Sequence, residues 1–405
     1  MRGTVPLVPY VALSAFLRVS VPSWFHPNFI TMRRLHFTAC LLVATTALAA
    51  HAAPPLPLDG FADCIHHWQN SHHTTDYPRL AEDDVRAIAD NILLYQRANG
   101  GWRENEDPLR ILSAEEKTKI LADRPLLDTS LDNRNTWPQV EYLAGAFGLT
   151  GDARYRDACL RGLEFIFAAQ HASGGFPHSY PSQDGYRPYL TFADDVLPDI
   201  LRTLRRIARG EAPFAFIDEP TRRRAAESVA RGDACILRLQ VVQDGVPTVW
   251  AGQYHPLTLA PAGARSFELP ALVSRESVAV VRYLMSLESP SPDVVRAVDA
   301  AVAWFQRVQI RGLRLETFEA EPVKYTWHTS TIDRRTVADP NAPPLWARFY
   351  DLATSEPFLA NRDGQRVQSL AEVQRERRTG YDWYGTWPAA LIDVDYPAWT
   401  KRVGR

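Results

Sequence analysis

Apolar positions along this chain recur mainly at the i, i+3, i+4, i+7 spacing of amphipathic helices, and several of these runs carry start and stop residues. Val85, Ile88, Ala89 and Ile92 predict a helix over 83–97. Val140, Leu143, Ala144 and Phe147 predict another, preceded by Asp132 and Asn133 and ended at 148–151. Asp152 is placed to cap a third that runs to Gln170, with Tyr155, Ala158, Cys159, Gly162, Leu163, Ile166 and Phe167 along one side. The next opens at Thr191-Phe192-Ala193-Asp194-Asp195, with Pro198 in its first turn, where a missing N–H costs nothing. Pro220-Thr221, Ser274 and Ser291-Pro292 start three more. After Gly312 the helical period disappears. Residues 313–361, rich in Pro, Thr, Trp and Asp, read as a long irregular region, followed by a last helix over 368–378.

Two of these helices end alike. Gln96-Arg97-Ala98-Asn99-Gly100-Gly101-Trp102 is echoed by Gln170-His171-Ala172-Ser173-Gly174-Gly175-Phe176, with weaker echoes from Gln240 to Gly245 and Trp250, and from Gln306 to Gly312. Each unit holds two helices that cannot bury their inner faces alone. The expected fold class is therefore all-α: an α/α toroid, or incomplete α/α barrel, of repeated helix pairs whose long irregular loops form a central cleft. No Ser-, Pro- or Gly-rich linker divides 54–405, which reads as a single catalytic domain.

The first 53 residues read as an address label. From Met32 the sequence runs MRRLHFTACLLVATTALAAHAAPP: a short basic region, an apolar core and small residues, the three parts of a secretory signal, with the residues before Met32 read as an upstream mis-start, Met32 as the true start and cleavage after Ala52 or Ala53. The apolar run is too short for a membrane anchor, so the mature chain is expected to be secreted or periplasmic, monomeric and free of the membrane. Removing 1–53 takes away four arginines and no acids, which moves the formal charge from −2 by four, to −6. A mildly acidic protein is a poor nucleic-acid binder. Cys64, Cys159 and Cys235 remain, with no C-x-x-C; at most one disulfide is possible, and Cys159 and Cys235 fall on apolar helix faces.

The chemistry-bearing residues stand at the loop mouths: Asp132 with Asn133, Asp194 with Asp195, Arg265 and Glu268, Asp333-Arg334-Arg335, and Arg348 near Asp351. An aspartate at a helix start is often only a cap, and arginines beside aromatics are often structural. Together they match what an acidic sugar polymer requires. Carboxylates hold Ca²⁺, arginine grips uronates in bidentate fashion, and tryptophans such as Trp102 offer a stacking face.

The motifs NILLYQRANGGW, LDNRNTWPQVEYLA, GGFPHSYP, TFADDVLPDIL, TLAPAGARSFELP and PPLWARFYDLATSEPFLANRDG with ERRTGYDWYG stand in one order along nearly all the mature chain. In this the sequence resembles the pectate lyases of polysaccharide lyase family 10. The resemblance implies Ca²⁺-dependent β-elimination of polygalacturonate, with Asp132, Asn133 and Asp194 in the active centre, Arg265 as the base, and Arg334 and Arg348 holding substrate carboxylates. Ca²⁺ would be held by Asp194 with Asp132 or Asp195. The chain departs from the family pattern at 134–137 and at Ala193, and an expected lysine is replaced by Arg307 or Arg311. A guanidinium is normally charged, so the base role of Arg265 rests on the resemblance alone.

Other readings remain open on the same residues. Gly-Gly-aromatic repeats with an Asp-Asp pair also suit an α/α prenyl transferase or terpenoid cyclase, against which the export signal argues. A glycoside hydrolase would use two of the carboxylates as acid and base. A non-catalytic protein that binds acidic polysaccharide would need only the arginines and aromatics.

Overall fold

The computed structural model describes residues 55–405, so the predicted signal segment lies outside the described residues. Twelve α-helices are found there: α1 (Ala62–His72), α2 (Val85–Tyr95), α3 (Ala114–Ala122), α4 (Trp137–Thr150), α5 (Ala153–Ala169), α6 (Val196–Ala208), α7 (Glu219–Leu239), α8 (Ser274–Met285), α9 (Pro292–Arg307), α10 (Arg375–Gly380), α11 (Trp387–Ala390) and α12 (Tyr396–Arg402). None is long and apolar enough to cross a membrane. Asp84, Asp152, Asp218 and Ser291 cap α2, α5, α7 and α9, each accepting a backbone N–H in the first turn. Ser274 does not cap α8. It is the first helical residue, and its hydroxyl donates to the Ala347 carbonyl at 2.7 Å.

Consecutive helices pack as pairs, α4 with α5, α6 with α7 and α8 with α9, while α2, α4, α6 and α8 pack in series. The repeat is what joins the pairs. The Gln96 amide donates to the Gly100 carbonyl at 2.8 Å and to Ala158 on α5 at 2.9 Å; Gln170 does the same to Gly174 and to Ser228 on α7, and Gln240 to Thr248 and Ala297 on α9. Each glutamine thus ties the end of one helix to the next unit. The glycines follow from the same docking. Gly100 and Gly174 have φ of 93° and 96°, and a Cβ there would lie 2.3 Å from the Arg161 carbonyl oxygen and 2.1 Å from that of Arg231. The aromatic residue closes the unit from inside: the indoles of Trp102, Trp250 and Trp346 donate to the carbonyls of Ile92, Ile236 and Phe305 in the preceding helices. Gln306 takes no such part; the α9 unit is completed by Trp346 after a long insertion.

The all-α expectation does not hold. Helix accounts for 44% and strand for 16%, and five small sheets are present among the described residues. The largest departure is in the region expected to be irregular. Leu313–Lys324 and Thr329–Ala338 form a long antiparallel hairpin, which pairs Thr317 with Arg334 and is interrupted by a bulge between Glu319 and Val323. A four-stranded sheet follows, in which Phe349-Tyr350 lies between Leu272-Val273 and Pro357–Ala360. The hairpin shows no clean apolar alternation because both faces are largely solvated, so period-two analysis has nothing to detect. The sheet has its own core, built on Phe267, Val273, Phe349, Phe358, Tyr381 and Trp383, separate from the helical core. The helix expected over 368–378 is a 3₁₀ turn at Leu370–Glu372 followed by α10. Cys64, Cys159 and Cys235 are buried free thiols.

Candidate active site

The loop before α4 is zipped to the segment after α5. The Leu131 N–H and the Ser130 hydroxyl both donate to the His178 carbonyl, each at 2.9 Å. Asn133, Arg134 and Thr136 take left-handed φ values of 51°, 52° and 80°, a strained course braced by Asn135 and Thr136, which donate to the Ser130 carbonyl. Asp132 is thereby aimed at His178, with Oδ2 2.9 Å from Nε2.

Glu104 joins them. One ligand atom from each of Glu104, Asp132 and His178 lies within 4.8 Å of the others, and Glu104 Oε2 is buried without a hydrogen-bond partner. Burial pushes the Asp132 carboxyl up, against the charge of His178, with Asp194 and Glu104 adding to the rise. Burial alone would push His178 down, but the charge and hydrogen bond of Asp132, with Glu104 and Asp194, raise it. Both shifts favour added positive charge, because the carboxylates of Glu104 and Asp132, with Asp194 adding its field, surround one imidazole. Glu104 and Asp132 are hard oxygen donors of the kind Ca²⁺ takes, and His178 is placed to orient Asp132 from behind. The donor set fits a divalent cation.

Beside this cluster is a cavity of about 290 Å³ lined by Ala62, Asp63, Arg134, Asp194, Asp195, Arg275 and Glu276. Three helix N-termini converge on it, those of α1, α6 and α8, whose partial positive charge favours the carboxylates there. Asp194 and Asp195 enter with φ of 49° and 60°, and neither caps a helix through its side chain.

The arginines form a network on the sheet side. Glu268 clamps Arg265, accepting from Nε at 2.7 Å and from the second guanidinium nitrogen at 2.5 Å, and Tyr381 donates to Glu268 Oε1 at 2.8 Å. Arg348 is 4% exposed, lies 4.4 Å from the Tyr381 ring centroid and is paired with Glu276. Arg334, on the hairpin, donates to the Tyr381 carbonyl at 3.2 Å and to Asp382 at 3.3 Å. Tyr381 therefore gathers all three arginines. Burial would lower Arg265, yet Glu268 holds it well above the ordinary arginine value; burial would likewise raise Glu268, but Arg265 keeps it at about 2.

A family model described as pectic acid lyase matches residues 96–392. The chain belongs to the pectic acid lyase family. It is similar to the solved family 10 polysaccharide lyase from Cellvibrio cellulosa, with 28% identity and a TM-score of 0.65 over 86% of this chain and 98% of that one. The match to an aspartate-to-alanine mutant of that lyase, solved in complex with trigalacturonic acid, has the same identity and TM-score and covers 87% of this chain and 100% of that chain. No curated protein matches. By family and by neighbour the chain is a polysaccharide lyase.

Within this pectic acid lyase the expected site residues fall into three groups. Asp132 and Asp194 lie in or beside the carboxylate cluster, and Arg265, Arg334 and Arg348 meet at Tyr381. Asn133 is at the rim, donating to Asn105 at 2.9 Å. Three residues are placed otherwise. Trp102 is 1% exposed and locked to Ile92, so it is core and offers no stacking face. Asp195 accepts from Arg134 at 2.9 Å, a pairing that gives the departure at Arg134 a structural partner. Arg307 ends α9, and its hydrogen bonds go to Gln243 and Ser355, not to any residue above.

Glu104, His178, Glu276 and Tyr381 were not anticipated. The repeat did carry a signal for the first two: Glu104 and His178 each stand two residues after the repeated aromatic, as Arg348 stands two after Trp346. In extended backbone, i and i+2 share a face. The aromatic fills the core and the residue two further on emerges at its rim.

Proposed function

We propose that this lyase cleaves α-1,4-linked polygalacturonate by Ca²⁺-dependent β-elimination, releasing 4,5-unsaturated oligogalacturonides, and that it works outside the cytoplasm. The observation that carries this reading is the pairing of a cation-seeking carboxylate cluster with three arginines gathered on Tyr381. A polyuronate needs both, one to acidify the proton at C5 and the other to hold negative charge. The trisaccharide in the Cellvibrio complex is an acidic sugar of the same class.

Glu104 and Asp132, with Asp194 beside them, would hold Ca²⁺, and His178 would fix the Asp132 carboxylate. When bound, Ca²⁺ draws charge off C5 through the uronate carboxylate. In its neutral form Arg265 takes the C5 proton and becomes guanidinium, the C–H electron pair becomes the C4–C5 double bond, and the C4–O bond breaks, its oxygen taking a proton from water; the hydroxide left behind takes the proton back from Arg265. Glu268 fixes the direction of the guanidinium and, by holding it cationic, makes the reaction one for alkaline pH. Arg334 and Arg348 provide positive charge around the uronates, Arg348 from beneath Tyr381. The predicted export signal supports action on an extracellular polymer.

The test is the ultraviolet absorbance of the new double bond, conjugated to the carboxylate, with purified protein and polygalacturonate at alkaline pH, with Ca²⁺ and with a chelator. A rise that the chelator abolishes is expected. Reducing ends without that absorbance would mean a hydrolase, and binding without either product a non-catalytic protein.

A further inference from the structure

Trp327 is 61% exposed, the one tryptophan among the described residues left largely in solvent. It stands at the tip of the long hairpin, in a turn closed by the Tyr325 N–H donating to the His328 carbonyl at 2.8 Å. That tip is braced. Thr329 Oγ1 meets His73 Nδ1 at 3.3 Å, Arg375 donates to the carbonyls of Glu321 and Ile332, and Arg378 forks onto Asp333 with two contacts of 2.7 Å. A tryptophan ring held outward on a braced frame offers a rigid face on which a ligand can stack.

Helix α1 shows where that ring lies relative to the site. Asp63 in its first turn lines the cavity with Asp194, and His73 at its C-cap touches the hairpin at Thr329. Eleven helical residues place the tip about 16 Å from the cavity along the helix. Between the two, the hairpin carries Arg334 to Tyr381, and at the tip Lys324 is exposed and has no ion-pair partner among the described residues. Aromatic surface beside an unpaired cation is the chemistry of an acidic sugar. The C–H face of a pyranose packs on the negative face of an indole, and an ammonium takes the carboxylate as a point charge.

We propose that Trp327, with Lys324, forms a distal stacking subsite that holds a galacturonate ring of a long polymer while the scissile bond lies at the arginines. This rests on the polygalacturonate reading above. Its signature is length dependence, since the ring at Trp327 and the sugars at the cavity, about 16 Å apart along α1, must belong to one long chain.

The experiment compares wild type, Trp327→Ala and Trp327→Phe on trigalacturonate and on long polygalacturonate, with melting curves to verify folding. Trp327→Ala is expected to raise KM on the polymer about five- to tenfold, with kcat little changed and trisaccharide kinetics unaltered, and Trp327→Phe to fall between. An unchanged polymer KM, or an equal loss on both substrates, overturns the subsite. If wild type makes no unsaturated product from either substrate, the lyase reading fails and the subsite with it; an active wild type beside an unaffected variant sinks the subsite alone.

Discussion

Arg265 and Glu268 form a two-point clamp, Nε to Oε2 at 2.7 Å, in which each residue holds the other charged. If Arg265 removes the C5 proton, only its neutral form is active, and that fraction grows tenfold per pH unit below its raised pKa. The rate should therefore climb with pH through the alkaline range until the protein unfolds. Glu268→Gln removes the charge that raises Arg265, so its pH profile should move toward acid, with a higher kcat/KM than wild type at the same alkaline pH. An unmoved profile would take the proton-transfer role away from Arg265.

Glu104 is the least anticipated member of the carboxylate cluster. Glu104→Gln keeps the shape and removes one charge from the donor set, so half-maximal activity should need about tenfold or more Ca²⁺, and Ca²⁺ should raise the melting temperature less than in wild type. A Ca²⁺ titration of both rate and melting checks this. Identical curves for variant and wild type would remove Glu104 from the metal site.

Replacing Trp102 separates core from stacking. Trp102→Phe leaves a void and strips the Ile92 carbonyl of its donor, at a cost of about 1–3 kcal/mol, measured by urea unfolding. KM for polygalacturonate should stay within twofold of wild type. A stable variant with a raised KM would return Trp102 to the substrate.

Glu276 and Arg348 are both almost wholly buried, and Glu276 also leaves Oε2 without a hydrogen-bond partner. Glu276→Gln leaves the Arg348 guanidinium buried without its countercharge, which should cost about 3–5 kcal/mol. The double variant Glu276→Gln with Arg348→Met should recover part of that stability and none of the activity. Full recovery of activity would exclude Arg348 from the site.

Much of the helical frame was legible because its signals are local. Asp152 and Ser291 cap their helices through bonds within one turn, and the Gln-Gly-Gly-aromatic repeat records a docking that recurs with the same spacing. The sheets were not legible. The hairpin's solvated faces carry no alternation, and strands such as Phe349-Tyr350 are too short to show a period and pair only with distant segments.

The local order of the chain was enough to show the helix pairs and the family and to single out Asp132, Asp194, Arg265, Arg334 and Arg348 as candidates, because caps, turn glycines and motif order are properties of neighbours in sequence. Tertiary packing assigned partners to those residues. It buried Trp102, paired Asp195 with Arg134, set Glu104 and His178 against Asp132, and drew three arginines onto Tyr381. Those outcomes depend on burial and on groups brought together from 28 to 116 positions apart, and a carboxylate's role in low dielectric is set by the company it keeps in space.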